Sequence, residues 1–166
     1  ITSATSRPNQ VSFNGRIVLP PQRQATVALT IGGVIKNTSL LPGQHVTKNS
    51  VIATLENPEF ITLQQTYLDS HAQTEYLRME YERQKNLSAE QAASQKKFQQ
   101  SKADYLSMKS RQDAAATQLS LLGVNPETLL RDGIQPLLEV KAPISGYVVN
   151  VAMNMGTVSY THLRAH

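Results

Sequence analysis

The 166-residue chain has no cysteine, so disulfides, thiolate metal sites and cysteine nucleophiles are excluded together. It also lacks tryptophan, and aromatic residues make up 5 % of it although hydrophobic residues reach 40 %. A single thick core needs large side chains. This composition points instead to thin elements, such as a coiled coil beside a small sheet. No run approaches the ~20 continuous apolar residues of a membrane-spanning helix. Residues 1–10 are polar and do not read as a signal peptide, so the chain is either cytoplasmic or preceded by an export segment. Acidic residues are missing from positions 1–55, where Arg7, Arg16, Arg23, Lys36 and Lys48 are the only charges. Five scattered cations do not form the concentrated basic face of a nucleic-acid binder, and nucleic acid is not expected as a partner. Between Pro58 and Leu122 the charges balance, eight basic against eight acidic.

What is present divides into three. Residues 11–55 hold short apolar or alternating runs, separated by Pro20-Pro21, Gly32-Gly33 and Pro42-Gly43, which is a strand-and-turn pattern. Residues 59–122 hold no glycine or proline and are rich in Gln, Ala, Ser, Lys and Glu, a helical composition. Asn57 is placed to cap the first helix, with Pro58 at its first position. Phe60, Leu63, Tyr67, Ser70, Thr74, Leu77 and Tyr81 keep the 3–4 spacing of a heptad seam, and Phe98, Ser101, Tyr105, Met108, Gln112, Ala115, Leu119 and Leu122 repeat it. Two consecutive seams satisfy each other most simply as an antiparallel hairpin. The break between them is expected between Leu87 and Ser94, with Ser88 and Gln91 as a capping box or Ser94 as a lone cap. Gly123 is expected to end the second helix, and Asn125-Pro126 to open a short helical turn that stops at Gly133. Strand-like sequence returns at residues 137–141 and 144–151.

The β segments on either side carry a weak repeat. Gly33-Val-Ile precedes Pro42-Gly43, Gly146-Tyr-Val precedes Gly156-Thr-Val, and the glycines of each pair stand ten apart. Glycine at a corner permits a positive φ. Two β halves of one pattern, divided by a helical hairpin, suggest a pseudo-twofold domain split at its middle.

At these residues the chain resembles a family. Gly33-Val-Ile-Lys-Asn, Pro42-Gly43-Gln-His-Val-Thr-Lys and Ser50-Val-Ile-Ala-Thr-Leu resemble the first half of a lipoyl-like domain. Lys141-Ala-Pro143-Ile-Ser-Gly146-Tyr-Val resembles the start of its second half. In the periplasmic adaptors (membrane fusion, HlyD-like proteins) of tripartite efflux pumps, such halves flank a helical hairpin. Glu56-Asn-Pro-Glu-Phe and Leu121-Leu-Gly-Val-Asn-Pro look like the CusB/CzcB-like heavy-metal branch, and Phe13-Asn-Gly-Arg-Ile-Val-Leu-Pro is similar to the family's first β-barrel strand. Asn49 stands where the pattern usually has glycine; Asn tolerates the left-handed region.

The resemblance implies an α+β chain: a split lipoyl-like β domain with an inserted, long, antiparallel coiled-coil hairpin, and the first strand of a truncated β-barrel domain. The expected boundaries are 1–23 for the N-terminal segment and barrel strand, 24–57 for the first lipoyl-like half and 58–122 for the hairpin. A connector at 123–136 and the second half at 137–158 follow, and 159–166 is a tail that fits neither the repeat nor the family. Gly33, Gly43, Pro143, Gly146 and Gly156 would be the structural turns. The resemblance further implies a periplasmic protein attached to the inner membrane outside this segment. It would join an inner-membrane resistance–nodulation–division transporter to a TolC-like outer-membrane channel, as a homo-oligomer of six copies, exporting heavy-metal cations or drugs. Adaptors that dock on such channels carry Arg, Leu four residues on and Ser seven further at the hairpin tip, which here are Arg83, Leu87 and Ser94. Two other readings remain, a coiled-coil scaffold without a transport role and an adaptor of an ABC-type exporter.

Catalytic chemistry finds little support. No Ser/His/Asp constellation and no phosphate loop can be proposed, so an enzyme is not expected. No cofactor is expected either, because Lys36 and Lys48 lack the carrier context of a lipoyl lysine. His45 and His71 are expected to face solvent; His162 and His166 have i, i+4 spacing only within the tail. Met79, Met108, Met153 and Met155 are soft donors, but they too few and too scattered to define a site, and no metal ligands are assigned.

Overall fold

The computed structural model describes residues 24–28, 33–38, 40–90, 95–152 and 160–165. In chain order these form β1 (Gln24–Ala28), β2 (Val34–Thr38), β3 (His45–Val46), β4 (Val51–Glu56), α1 (Pro58–Glu90), α2 (Gln95–Leu121), α3 (Pro126–Asp132), β5 (Leu138–Lys141), β6 (Gly146–Ala152) and β7 (Tyr160–Ala165). The result is α+β, as expected from the sequence. The barrel strand expected near Phe13 lies outside the described residues.

The β halves find each other across the helical insert. One antiparallel sheet has the order β2-β4-β5 and the other β1-β7-β6-β3. Leu55 on β4 pairs with Leu138 on β5, and Val46 on β3 with Gly146 on β6. Backbone hydrogen bonds outside the strand ladders tie the halves further. Gly43 N–H donates to Val148 O at 2.8 Å and Val148 N–H to Gln44 O at 2.9 Å; Asn49 N–H donates to Ala142 O at 2.8 Å and Ala142 N–H to Ser50 O at 2.9 Å. Lys48 N–H adds a bond to Ser145 Oγ at 2.8 Å. Of the groups so paired, those of Ala142 and Val148 are on buried residues, where an unpaired backbone group would be costly.

The expected turn residues divide. Gly43 has φ 86 and Asn49 has φ 68, so Asn takes the left-handed position that glycine usually fills. Gly33 is needed for close approach: a Cβ there would stand 2.7 Å from the Glu56 carbonyl oxygen. Pro143 lies exposed in the bend between β5 and β6. Gly146 is no corner, because it opens strand β6 and is buried opposite Val46. Gly156 lies outside the described residues. Within the tail, residues 160–165 form β7, which pairs with β1 on one side and β6 on the other. Its Tyr-Thr-His-Leu run has strand-forming residues, and the edges of β1 and β6 offer backbone groups to pair.

The helices begin and end as their sequences direct. Asn57 Oδ1 accepts from Glu59 N–H at 2.6 Å, with Pro58 at the first position. At the end of α2, Gly123 N–H donates to Ser120 O at 2.9 Å and Val124 N–H to Leu119 O at 3.0 Å, the paired bonds of a Schellman cap with Gly123 at φ 79. Asn125 caps α3 through Glu127 N–H at 3.0 Å, and Gly133 N–H closes it on Leu129 O at 2.9 Å. One boundary moves. α1 has 33 residues, about 50 Å at 1.5 Å per residue, and passes through Ser88. The Ser88 hydroxyl donates to Lys85 O at 3.0 Å inside the helix, so Ser88 is not a cap.

The core sits where sheet, hairpin base and connector converge. Leu55, Phe60, Leu119, Leu129 and Leu138 are each at most 2 % exposed. Gln64 is fully buried among them, and its amide clamps the connector. Its Nε2 donates to Gln135 O at 2.9 Å and to Phe60 O at 3.2 Å, and its Oε1 accepts from Gln135 N–H at 2.7 Å. Two substitutions test this base by denaturant unfolding. Leu119→Ala is expected to cost about 2–5 kcal/mol as a core cavity. Gln64→Leu is expected to cost about 1–3 kcal/mol by orphaning the Gln135 backbone, with faster hydrogen exchange at the Gln135 amide. A cost below about 0.5 kcal/mol for either contradicts the packing described.

Candidate functional site at the hairpin tip

The residues assigned to the seam are all buried or half-buried along both helices. The chemistry of the seam changes along its length. Near the base it is apolar, with Phe60, Tyr67, Ala115 and Leu119. In the middle it is small and polar, with buried Ser70, Thr74 and Ser101. Ser70 Oγ bonds the carbonyls of Thr66 and Tyr67, while Thr74 Oγ1 is buried with no hydrogen-bond partner. His71 is half-buried, and its Nδ1 lies 2.9 Å from Gln112 Nε2 across the seam. The solvent-facing position expected for it is wrong, because it flanks the seam residue Ser70 and meets a polar partner on α2. Burial raises the pKa of the neighbouring Tyr67 phenol, and a hydrogen bond with Gln112 opposes that rise.

Toward the tip the seam becomes aromatic. Tyr81 lies between Phe98 and Tyr105, with ring centroids 5.6 and 5.7 Å away and planes inclined by 18° and 6°. Such stacking adds to the area that the rings bury. It also sets the rotation of α1 near its end. Arg83 follows two residues later, about 200° around the helix, and Leu87 one turn further on the same outward face.

Both side chains stand in solvent: Arg83 is 67 % exposed and Leu87 47 %. Arg83 is aimed by an ion pair from its Nη2 to Glu80 Oε2, and Gln84 Nε2 holds the other Glu80 oxygen at 2.9 Å. An exposed pair of this kind contributes little stability. Its effect is to orient a guanidinium whose remaining donors can reach carbonyls or carboxylates on a partner. Leu87 supplies an apolar knob beside it. Ser94, the third expected tip residue, lies outside the described residues. Further down α1, Arg78 pairs with Glu75 at 3.0 Å and with Glu82 at 3.2 Å, which raises the Arg78 pKa and lowers that of Glu75.

Elsewhere the described residues hold no group of three His, Asp or Glu side chains placed for a metal ion. His45 is exposed and meets Tyr147 edge-on at 5.0 Å. Met79 is exposed, Met108 packs in the seam, and Met153 and Met155 lie outside the described residues. A cleft of about 350 Å³ opens between α3 and β5, lined by Phe60, Val124, Thr128 and Leu137. A groove of about 520 Å³ runs along the hairpin flank beside Leu63, Thr66 and Arg111. The Thr128 hydroxyl of the first donates to Asn125 O at 2.7 Å, and the Thr62 hydroxyl of the second to Pro58 O at 3.1 Å. The Gln64 clamp is the element that sequence reasoning missed. Its only signal was a glutamine adjacent to seam residue Leu63, and its partner lies 71 residues away.

No protein-family model and no curated protein matches the chain. Solved structures do. ZneB from Cupriavidus metallidurans superposes with a TM-score of 0.58 at 22 % identity, over 87 % of this chain and 62 % of that one. A provisionally assigned efflux transporter from Bacteroides eggerthii gives 0.56 at 22 %, over 90 % and 47 %. A MacA–MexA chimera carrying the Pseudomonas aeruginosa MexA alpha-hairpin domain gives 0.56 at 20 %, over 86 % and 48 %. The chain therefore spans about half to three-fifths of the length of these structures, and the likeness is one of fold. Among the described residues no helix is long and apolar enough to cross a membrane.

The stacked rings generate an expectation about the tip. Tyr81→Ala should raise amide hydrogen exchange around residues 78–90 and 95–105, with the base near Leu119 unchanged. Uniform loosening of the whole hairpin, or none, contradicts a local role for the stack.

Proposed function

We propose that the chain is the hairpin and lipoyl-like part of a periplasmic adaptor that bridges an inner-membrane transporter and an outer-membrane channel in an efflux pump. The observation that carries this reading is the architecture itself: an arm of about 50 Å rooted in a split β domain and ending in an outward Arg83–Leu87 pair. A plain coiled-coil scaffold does not need the two β halves to reassemble around its base. The fold shared with a provisionally assigned efflux transporter and with the MexA alpha-hairpin chimera supports the same reading.

In this reading the tip residues Arg83, Leu87 and Ser94 dock on a TolC-like channel, the guanidinium bonding carbonyls or carboxylates and Leu87 filling an apolar notch. The lipoyl-like domains of six copies pack side by side into a sealed conduit. Parts of the protein outside this segment attach it to the inner membrane and contact a resistance–nodulation–division transporter. Heavy-metal cations are the favoured cargo, on the resemblance of Asn57-Pro-Glu-Phe to the metal branch. The work is binding and sealing, and no covalent bond is made or broken.

These 166 residues contribute no thiol of their own to the test. Leu87→Cys in the full protein, treated in cells with a bifunctional thiol–amine linker, is expected to give a cross-link to an outer-membrane channel. Thr38→Cys, far from the tip on β2, should give none. An exported protein that yields no channel adduct from residue 87 contradicts the docking assignment and favours a scaffold.

A further inference from the structure

The balanced charge of the hairpin conceals a division along its length. Of its eight basic residues, Arg83, Lys85, Lys96, Lys97 and Lys102 fall between positions 83 and 102, against the single acid Glu90, a balance of +4. The rest of the two helices holds Arg78, Lys109 and Arg111 against seven acids, a balance of −4. The antiparallel pairing of His71 with Gln112, and of Tyr81 with Phe98 and Tyr105, sets which residues are level. By that pairing Lys102 is level with Tyr81, and Lys97 and Lys96 with Asn86 and Leu87. The five cations are thereby gathered into about 9 Å of the arm's length.

The fold itself makes little use of them. Lys85, Lys96, Lys97 and Lys102 are exposed. Among the described residues none of the four is in an ion pair, and Arg83 alone is held, by Glu80. Lys96 and Lys97 stand in the first turn of α2, which has no acid. That turn is the positive end of the helix dipole, where carboxylates are favoured and cations cost stability. Cations this close together also repel one another. A cluster that opposes both its own helix and itself points to an anion supplied from outside.

Leu87 identifies the kind of anion. Beyond Tyr81 it is the one large apolar side chain of α1, and it stands 47 % exposed among the cations. An apolar knob with polar and charged groups about it is the plan of a protein interface. A lipid surface needs a broad apolar face along the helix, which a single leucine does not provide. We infer that the tip recognises a carboxylate-rich protein surface, with Lys85, Lys96, Lys97 and Lys102 as a cationic collar that steers the acidic partner onto Leu87. Charges at the margin of an interface act chiefly on the rate of association and on its salt dependence. That this partner is the outer-membrane channel rests on the docking reading above; that it is acidic rests on the collar.

The test uses the full protein carrying Leu87→Cys in cell-envelope preparations, with a thiol–photoreactive linker that does not rely on lysine. The yield of channel adduct is expected to fall several-fold as salt rises from about 0.05 M to about 0.5 M. Lys85→Gln, Lys96→Gln, Lys97→Gln and Lys102→Gln together should bring the low-salt yield down to the high-salt level. The four corresponding Arg substitutions keep the charge and should keep the yield. All four positions are exposed, so folding is not at stake. A channel adduct indifferent to salt and to the Gln substitutions overturns the collar and leaves the docking reading standing. If no channel adduct forms, the docking reading fails, and direct binding judges the collar alone: polyglutamate should bind the full protein and not its Gln variant. Equal binding of polyglutamate to both, or tighter binding of phosphatidylglycerol vesicles than of polyglutamate at equal charge concentration, overturns the inference.

Discussion

Everything outboard of the β domain depends on the packing at the hairpin base. Phe60 from α1, Leu119 from α2, Leu129 from α3, and Leu55 and Leu138 from paired strands close on one another with at most 2 % exposure. Beyond them the helices are held to each other mainly along their own seam, by Tyr67 and Ala115 and then by the stack around Tyr81. The Gln64 clamp adds direction to that packing by hydrogen-bonding the Gln135 backbone on both sides. A buried amide with every partner satisfied specifies one arrangement, whereas an apolar contact tolerates several.

From this anchor the seam passes through three regimes. An apolar root gives way to a polar middle, where Thr74 Oγ1 is buried without a partner. The aromatic stack around Tyr81 then restores rigidity just before the tip. In the proposed docking role, a stacked end beyond a polar shaft suits the presentation of Arg83 and Leu87 in a fixed orientation. The charged side chains of α1 sum to −3 and those of α2 to +3, which gives the arm two different sides.

Much of this was legible in the sequence because the relevant signals are local. The residues assigned by heptad spacing are buried or half-buried, Asn57-Pro58 opens α1, and Gly123 ends α2. The tolerance of Asn49 for the left-handed region followed from its side chain. What was not legible depends on distant pairing. Gly146 was read as a corner because glycine permits one, but its partner Val46, a hundred residues earlier in the chain, places it in a strand. Ser88 suits a cap by residue type, as one of two candidates beside Ser94, yet α1 continues past it. The Gln64–Gln135 clamp and the strand formed by residues 160–165 likewise arise only when remote segments meet.

The hairpin in the proposed role is a spacer of fixed length between two partners, and shortening it is the direct test. Excising residues 70–76 from α1 and 107–113 from α2 removes one heptad from each helix, keeps the seam in phase and shortens the arm by about 10 Å. The full protein carrying this double excision should fold, still capture its inner-membrane partner in cells, and fail to capture the outer-membrane channel. Undiminished channel capture by the shortened arm would contradict the account.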